Sequence, residues 1–231
     1  MAARVTIGAY FGQDVRGIVD RLVTEQMTDG GWNCEQENGS TRGSFHSTIC
    51  VLEGLLEHEQ ATGGTPDAIA ARLRGQDYLL DRRMGRRLST GEVIDPNWSR
   101  FSYPTAYFYD VLRGLDYLRR AGATPDERAA ETIDIVRSRR DADGRWPLEN
   151  PHPGELHFAM DEGEGRPSRW NTLRALRVLD HGSAGPAGQA DPELTERGQL
   201  VPDAGQTSKR QRVAPNGSAV ATPNAVLGVN S

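Results

Sequence analysis

Lysine is almost missing from this chain. Lys209 is the only lysine among 231 residues, and it lies near the C-terminal end. Chemistry that requires a lysine Schiff base or the lysine of a phosphate-binding loop is therefore excluded from residues 1–183. Cysteine is scarce as well, because Cys34 and Cys50 are too few for a disulfide framework. Two reduced thiols are typical of a cytoplasmic protein.

Long apolar runs are absent too. No run of apolar residues is long enough to span a bilayer, and the first residues do not have the pattern of a signal peptide. The formal net charge of −5 does not favour binding to nucleic acid or to an anionic membrane surface. We therefore expect a cytoplasmic protein that is not transmembrane and does not bind nucleic acid.

Aromatic residues stop at Trp170. The four Trp, six Tyr and five Phe of the chain all lie at or before this position, and residues 184–231 are rich in Gly, Ala, Pro and Ser. A segment of that composition buries too little apolar surface to offset the entropy cost of ordering it. We expect a folded domain at 1–183 and a disordered low-complexity tail at 184–231.

The folded region contains a helical hairpin pattern that occurs three times. Gln26, Arg83 and Arg140 are spaced 57 residues apart, and each ends a helix-like stretch before a loop. The first loop begins with Gly30-Gly31-Trp32 and the third with Gly144-Arg145-Trp146, so Gly and Trp recur at the same offsets. A fixed period of this size indicates stacked helical repeats. The sequence therefore predicts an all-α fold of about three hairpins.

Each repeat is expected to contain an outer helix, a long polar loop and an inner helix. Apolar periodicity predicts outer helices near 14–27, 66–83 and 125–140, and inner helices near 45–61, 104–120 and 168–180. Thr65-Pro66 and Thr124-Pro125 each predict a helix start, with Thr as N-cap and Pro at the first helical position. The segment 5–11 is expected to be the end of a further inner helix.

Tryptophan marks all three loops. Trp32, Trp98 and Trp146 follow the outer helices, and an indole ring can pack back over a helix end while its N–H bonds to the loop. We interpret these three residues as structural.

The pattern Gln26-x3-Gly30-x-Trp32 resembles the QW repeat of the terpenoid cyclase and protein prenyltransferase family, especially the squalene–hopene cyclase-like proteins. The upstream half of that repeat is similar to Arg74-Gly75-Gln76-Asp77-Tyr78-Leu79. The resemblance implies an α/α toroid whose inner helices line a cavity for an isoprenoid chain. Three hairpins make about half of such a toroid, so we expect self-association, a partner that covers the open faces, or an incomplete copy of a longer protein of this kind.

The acid motif DxDD of alkene-protonating cyclases is not present at the inner-helix starts. Ser44, His46 and Ser47 stand where the resemblance would place it. His46 and Asp110 are the remaining candidate catalytic residues. Whether the chain is an enzyme therefore stays open, and a non-catalytic scaffold or binding module is one alternative.

A zinc-assisted prenyltransferase-like enzyme is the other alternative. Cys34, His46 and Cys50 are of types that bind zinc, and His46 and Cys50 are four residues apart on one helix face. No closely spaced Cys pair supports them, so no cofactor is expected and zinc is the exception to test.

The predicted inner-helix starts also carry residues suited to the diphosphate and apolar parts of a prenyl donor. Helix N-termini attract anions. The candidate ligand-binding residues are Arg42, His46, Tyr103, Tyr107, Arg169 and Trp170. If the starts converge, the partner would be an isoprenoid or other apolar small molecule.

Overall fold

Helices dominate this protein. The computed structural model describes residues 2–152, 158–161 and 163–183, and the predicted tail at 184–231 lies outside these ranges. The described helices are α1 (Ala2–Tyr10), α2 (Arg16–Thr24), α3 (Phe45–Thr62), α4 (Pro66–Asp81), α5 (Val111–Arg120), α6 (Ala130–Ser138) and α7 (Arg169–Ser183). Within the described ranges the sheet content is one antiparallel pair, β1 (Trp146–Pro147) with β2 (Pro167–Ser168).

The helices form two series. The odd-numbered helices pack in chain order, with α1 on α3, α3 on α5 and α5 on α7. The even-numbered helices α2 and α4 contact each other, and α4 also contacts the short 3₁₀ turn Glu127–Ala129 that precedes α6. The predicted largely helical fold is confirmed. Most of the segment 5–11 lies in α1, which packs on α3, and its place in an inner layer stays a prediction. Closure into a toroid stays a prediction.

Two predicted helices, one inner and one outer, begin later in the chain than expected. In both cases an aspartate side chain caps the observed start. The helix predicted at 104–120 begins at Val111, where Asp110 accepts a hydrogen bond from the backbone N–H of Arg113 at 2.8 Å. The helix predicted from residue 125 is preceded by a 3₁₀ turn capped by Asp126 rather than Thr124. By contrast Thr65 caps α4 as predicted, accepting from Ala68 N–H at 3.2 Å.

The first and third tryptophans tie each loop to the outer helix before it. The indole Nε1 of Trp32 donates to the Leu22 carbonyl at 2.7 Å, and that of Trp146 donates to the Val136 carbonyl at 2.6 Å. Each bond therefore spans ten residues and satisfies a carbonyl near the helix end. The predicted structural role fits these bonds, but the expected acceptor in the loop was wrong, since the acceptor belongs to the helix.

The second repeat uses a different contact. Trp98 lies in the 3₁₀ turn Pro96–Ser99, and its buried Nε1 has no hydrogen-bond partner among the described residues. The Tyr109 hydroxyl instead donates to the Met84 carbonyl, just after α4, at 2.7 Å. The Trp98 ring packs against Phe45 and Tyr109, with ring centroids 4.7 Å and 5.1 Å away. Trp98 is thus a core residue without the polar bond of its two counterparts.

The outer helix of one repeat fits closely onto the preceding repeat. A Cβ atom added to Gly75 of α4 would lie 2.5 Å from the Trp32 ring and 2.9 Å from the Leu52 side chain. One turn further along α4, the Tyr78 hydroxyl donates to the Gly43 carbonyl at 2.8 Å. A glycine in a helix interior costs up to about 1 kcal/mol, and this close approach explains why α4 contains one.

Trp-to-Phe replacements separate the two kinds of tryptophan. Trp32→Phe leaves the buried Leu22 carbonyl without its indole donor, so we expect a loss of about 1–3 kcal/mol of unfolding free energy. Trp146→Phe should cost less, about 0.5–1.5 kcal/mol, because the Val136 carbonyl also accepts from Arg139 N–H at 3.3 Å. Trp98→Phe removes an N–H that has no partner in the described part of the chain, so its cost should be clearly smaller. Urea unfolding followed by circular dichroism measures all three, and equal losses would contradict the assignment.

Candidate functional site

A cavity of about 390 Å³ lies between α1, α3, α5 and the loops that carry Trp32 and Tyr107. Its volume is within the range typical of small-molecule sites. Its walls are formed by the apolar or thiol side chains of Leu22, Trp32, Cys34, Cys50, Val51 and Ala106, and by the polar side chains of Thr6, Glu25, Asn33, Gln36, Ser47, Tyr107 and Arg113. We call it the Tyr107 cavity.

Tyr107 provides the polar centre of this cavity. Its hydroxyl oxygen lies 3.0 Å from Ser47 Oγ and 3.3 Å from Cys34 Sγ. Burial, followed by the contact with Cys34, raises the pKa of the Tyr107 hydroxyl above 10.0, so the phenol stays protonated at neutral pH. The side chains of Tyr107, Ser47 and Cys34 therefore meet at one point of the cavity wall, and a hydroxyl or thiol group can donate or accept a hydrogen bond there.

Cys50 contacts the backbone of Tyr107 and the side chain of Arg113. Its Sγ is 3.6 Å from the Tyr107 carbonyl and 3.6 Å from Nη2 of Arg113. Burial raises the pKa of the Cys50 thiol above 9.0, although Arg113 opposes the shift. A thiol with a raised pKa is a poor nucleophile and a poor metal ligand at neutral pH. Cys50 therefore acts as a small apolar wall residue.

Arg113 is held by a buried ion pair between α3 and α5. Its Nε and Nη2 donate to the two carboxylate oxygens of Glu53 at 3.0 Å and 2.6 Å, and its Nη1 donates to the Phe108 carbonyl at 2.6 Å. Burial opposes the charge, but the bonds to Glu53 outweigh it and raise the pKa of Arg113. The pair fixes the loop that carries Tyr107.

Further ion pairs continue along the inner helices. Arg120 of α5 pairs with Glu57 of α3, and Nε of Arg174 on α7 lies 3.9 Å from Asp116 on α5. Asp116 is also bonded to Arg119 at 2.9 Å. The partly exposed side of these helices is therefore charged and internally neutralised, in contrast to the apolar lining that the resemblance implies.

His46 lies beside the cavity, at the start of α3. Its Nδ1 accepts a hydrogen bond from Tyr109 N–H at 2.8 Å, which requires an unprotonated Nδ1. Its ring is 5.6 Å from the Tyr107 ring and 5.7 Å from the Trp98 ring. Burial lowers the pKa of His46 below 6.5, although Asp95 opposes the shift. The geometry makes His46 a neutral hydrogen-bond acceptor that orders the loop before α5.

Asp110, the other candidate catalytic residue, does not lie inside an inner helix as predicted. It is the buried N-cap of α5, with Oδ1 accepting from Arg113 N–H and Oδ2 from the Ser102 hydroxyl at 2.9 Å. A carboxylate with both oxygens bonded in this way has a structural role.

The candidate zinc ligands are not assembled into a site. Among the described residues, no group of three or more His, Cys, Asp and Glu side chains is arranged to hold a metal ion. His46 uses Nδ1 for Tyr109, whereas Cys34 and Cys50 face Tyr107 and Arg113. The zinc alternative thus has no ligand set in the part of the chain that is described.

Five of the six candidate ligand-binding residues fall into two groups of contacts, and Arg42 lies in neither. His46 and Tyr107 contact each other at the Tyr107 cavity. Tyr103 instead stacks on Trp170 with centroids 5.0 Å apart, and Nη2 of Arg169 donates to the Met160 carbonyl at 3.2 Å. Arg42 contributes its backbone carbonyl, which accepts from Asn33 at 2.8 Å. Tyr103 and Tyr107 also precede α5 rather than begin it.

Sequence reasoning missed Arg113 and Ser47 as site residues. A signal for Arg113 was present, because Val51-Leu52-Glu53-Gly54-Leu55 matches Val111-Leu112-Arg113-Gly114-Leu115, with Glu and Arg at the same position. Opposite charges at equivalent positions of neighbouring inner helices indicate an ion pair. Ser47 carries no comparable signal.

Comparisons with known proteins give no relative. No protein-family model, no curated protein and no solved structure matches this chain. Among the described residues, no helix is both long and apolar enough to cross a membrane.

Breaking the buried ion pair should be costly. Glu53→Met leaves Arg113 charged, buried and without its carboxylate, so we expect a loss of about 3–5 kcal/mol of unfolding free energy. The double variant Glu53→Met/Arg113→Met removes both charges and should lose less than the Glu53 variant alone. A double-mutant cycle by urea unfolding measures the coupling, and additive losses would contradict it.

Acid should weaken the fold through His46. Burial lowers the pKa of His46 in the folded protein relative to the unfolded chain. The free energy of unfolding therefore decreases as the pH falls below about 6.5 towards the folded-state pKa. His152, whose pKa burial also lowers, acts in the same direction. We expect the urea concentration at the unfolding midpoint to decrease as the pH is lowered from 7.5 to 5.5. His46→Gln should make this dependence of the midpoint on pH less steep. An unchanged slope in the variant would contradict a buried neutral His46.

Proposed function

We propose that this chain is a helical-repeat binding module that holds a small apolar ligand, of isoprenoid type or similar shape, in the Tyr107 cavity. The observation that carries the proposal is the cavity itself. A volume of about 390 Å³ is bounded by Leu22, Trp32 and Val51, and Tyr107 supplies a polar point for a hydroxyl or similar head group. An apolar pocket with a few convergent polar groups is the usual form of a ligand site.

Binding is favoured over turnover because the acidic side chains near the cavity are already engaged. Glu53 neutralises Arg113, and Asp110 caps α5 with both oxygens bonded. An acid that protonates an alkene must carry a proton and be free to give it up. The thiol of Cys50 is protonated, as its raised pKa requires. These groups support recognition rather than acid catalysis.

We also propose that the repeats are related to the QW repeats of the terpenoid cyclase and protein prenyltransferase family, with a toroid-type curvature. Gln26 supports this relation, because its side-chain nitrogen donates to the Gly30 carbonyl at 2.7 Å and to the Ala71 carbonyl at 2.8 Å. The Gln of the motif thus links its own Gly-Trp turn to the next outer helix. The proposal extends to the fold alone, since related folds host unrelated activities.

A cavity-filling substitution tests ligand binding. Isothermal titration of the full chain with farnesol, a C15 isoprenoid alcohol, is expected to show saturable binding with one site per chain. Cys50→Phe places a ring in the cavity and should weaken the affinity at least about tenfold. Cys50→Ala is the matched control, because it removes the same thiol but leaves the space open.

Three results would contradict the proposal. These are no saturable binding to the wild-type chain, equal affinity for the Phe variant, or a loss of affinity in the Ala variant as large as in the Phe variant. Thermal unfolding of both variants without ligand checks that they fold. A well-folded chain that binds no apolar probe would favour the scaffold alternative.

A further inference from the structure

A second cavity, of about 490 Å³, lies between the end of α4, the loop that carries Trp98, and α6. Met84, Trp98, Val111 and Ile135 contribute to its apolar wall, and arginine and acidic side chains complete the lining. We call it the Ile135 cavity. Its volume is in the range of small-molecule sites, and it shares no lining residue with the Tyr107 cavity.

The repeat period relates α6 to α4 residue by residue. The two indole hydrogen bonds end on Leu22 and Val136, which are two periods of 57 residues apart. Leu79 of α4 lies midway between them and, like Val136, is 0% exposed. One residue earlier, Ile135 of α6 therefore corresponds to Tyr78 of α4.

Tyr78 fills the space between α4 and the Gly-Trp turn before it. A Cβ atom added to Gly31 or to Gly43 would lie 2.8 Å from its ring. The Arg82 guanidinium lies over the same ring, 3.8 Å from the centroid. Ile135 has no ring with which to fill the equivalent space, and this difference leaves room for the cavity beside α6.

The Ile135 cavity keeps the arginine that accompanies the tyrosine ring one repeat earlier. Arg139 corresponds to Arg82 and lines the cavity. Each guanidinium is held by an acid, Arg139 by Glu149 at 2.8 Å and Arg82 by Asp29 at 3.3 Å. In the described ranges, no aromatic ring of the chain lies against the Arg139 guanidinium. An aromatic ligand would therefore find a guanidinium already in place for stacking.

Arg83 supplies the positive charge of this cavity. It is part of the lining, and its side chain forms no hydrogen bond or ion pair with the described residues. The carboxylate of Glu131 is bonded through both oxygens to Arg86; these bonds lower the pKa of Glu131, and the nearby charge of Arg83 lowers it further. Asp95 is the N-cap of the 3₁₀ turn that carries Trp98. A guanidinium with available donors favours a carboxylate partner.

We propose that the Ile135 cavity binds a small aromatic carboxylic acid, with the ring beside Ile135 and Arg139 and the carboxylate on Arg83. The ring of the ligand takes the place that the Tyr78 ring takes one repeat earlier. The two cavities are separate, so this proposal does not depend on an apolar ligand in the Tyr107 cavity.

Isothermal titration of the full chain with 3-(4-hydroxyphenyl)propionate tests this site, because this acid combines the ring of tyrosine with a carboxylate. We expect saturable binding with one site per chain, unchanged by saturating farnesol. The corresponding amide has no charge and should bind at least about tenfold more weakly. Tyramine has the same ring and the opposite charge. Binding of tyramine or of the amide as tight as that of the acid, or competition by farnesol, would overturn the proposal.

Two variants test the ring and the charge separately. Ile135→Tyr restores the residue of the preceding repeat and should weaken binding of the acid at least about tenfold by filling the cavity, whereas Ile135→Leu keeps the side-chain volume and is the matched control. Arg83→Gln introduces the residue found one period earlier, at Gln26. It should lower the affinity for the acid to that for the amide and leave the amide unchanged.

Thermal unfolding without ligand checks that the variants fold. No saturable binding to the wild-type chain, full affinity in a folded Ile135→Tyr chain, or an equal loss in Ile135→Leu would overturn the proposal. Full affinity for the acid in Arg83→Gln would also overturn it, and this exposed substitution decides the question if Ile135→Tyr does not fold.

Discussion

The close contact between α4 and the Gly-Trp turn before it is the constraint on which the structure depends. Gly75 of α4 meets the Trp32 ring and Leu52 at distances that leave no room for a side chain. Trp32 can occupy that place because its indole N–H is bonded to the end of α2. A polar bond between α2 and the Gly-Trp turn thus positions the apolar surface that receives α4.

The same contact locates the Tyr107 cavity. Trp32 presents one part of its ring to α4 and lines the cavity with another, beside Leu22 and Val51. The loop with Tyr107 closes the cavity from the second repeat, and Arg113 holds that loop through the carbonyls of Ala106 and Phe108. The site therefore requires two adjacent repeats. The inner helices contribute neutralised charge pairs, so the space for an apolar ligand lies near the turns.

Much of the fold was predictable because helical repeats place the same residue types at the same offsets. The period of 57 residues located Trp32 and Trp146, and both make the same bond to the carbonyl ten residues earlier. The second loop was not predictable from that period, since Tyr109 and not Trp98 is the donor to the Met84 carbonyl just after α4. A tyrosine hydroxyl and a tryptophan indole can both donate a hydrogen bond to such a carbonyl. Nothing in the local sequence shows that Tyr109 is the donor here.

The candidate site was predictable only in part. Cys34, Cys50, His46 and Tyr107 do lie at or beside one cavity, but their bonds differ from those that catalysis or zinc binding would need. The sequence pattern placed Asp110 inside a helix, but the helix begins at Val111 and Asp110 is its N-cap. Helix boundaries are the least certain part of any sequence pattern, and here one boundary decided the role of a carboxylate.

The most direct test of the account is a nuclear magnetic resonance spectrum of the four indole N–H groups, recorded with and without farnesol. The account predicts slow hydrogen exchange for Trp32 and Trp146, faster exchange for Trp98, and a ligand-induced shift largest at Trp32, which lines the cavity. Equal exchange for all the indoles, or a largest shift at Trp170, would contradict it.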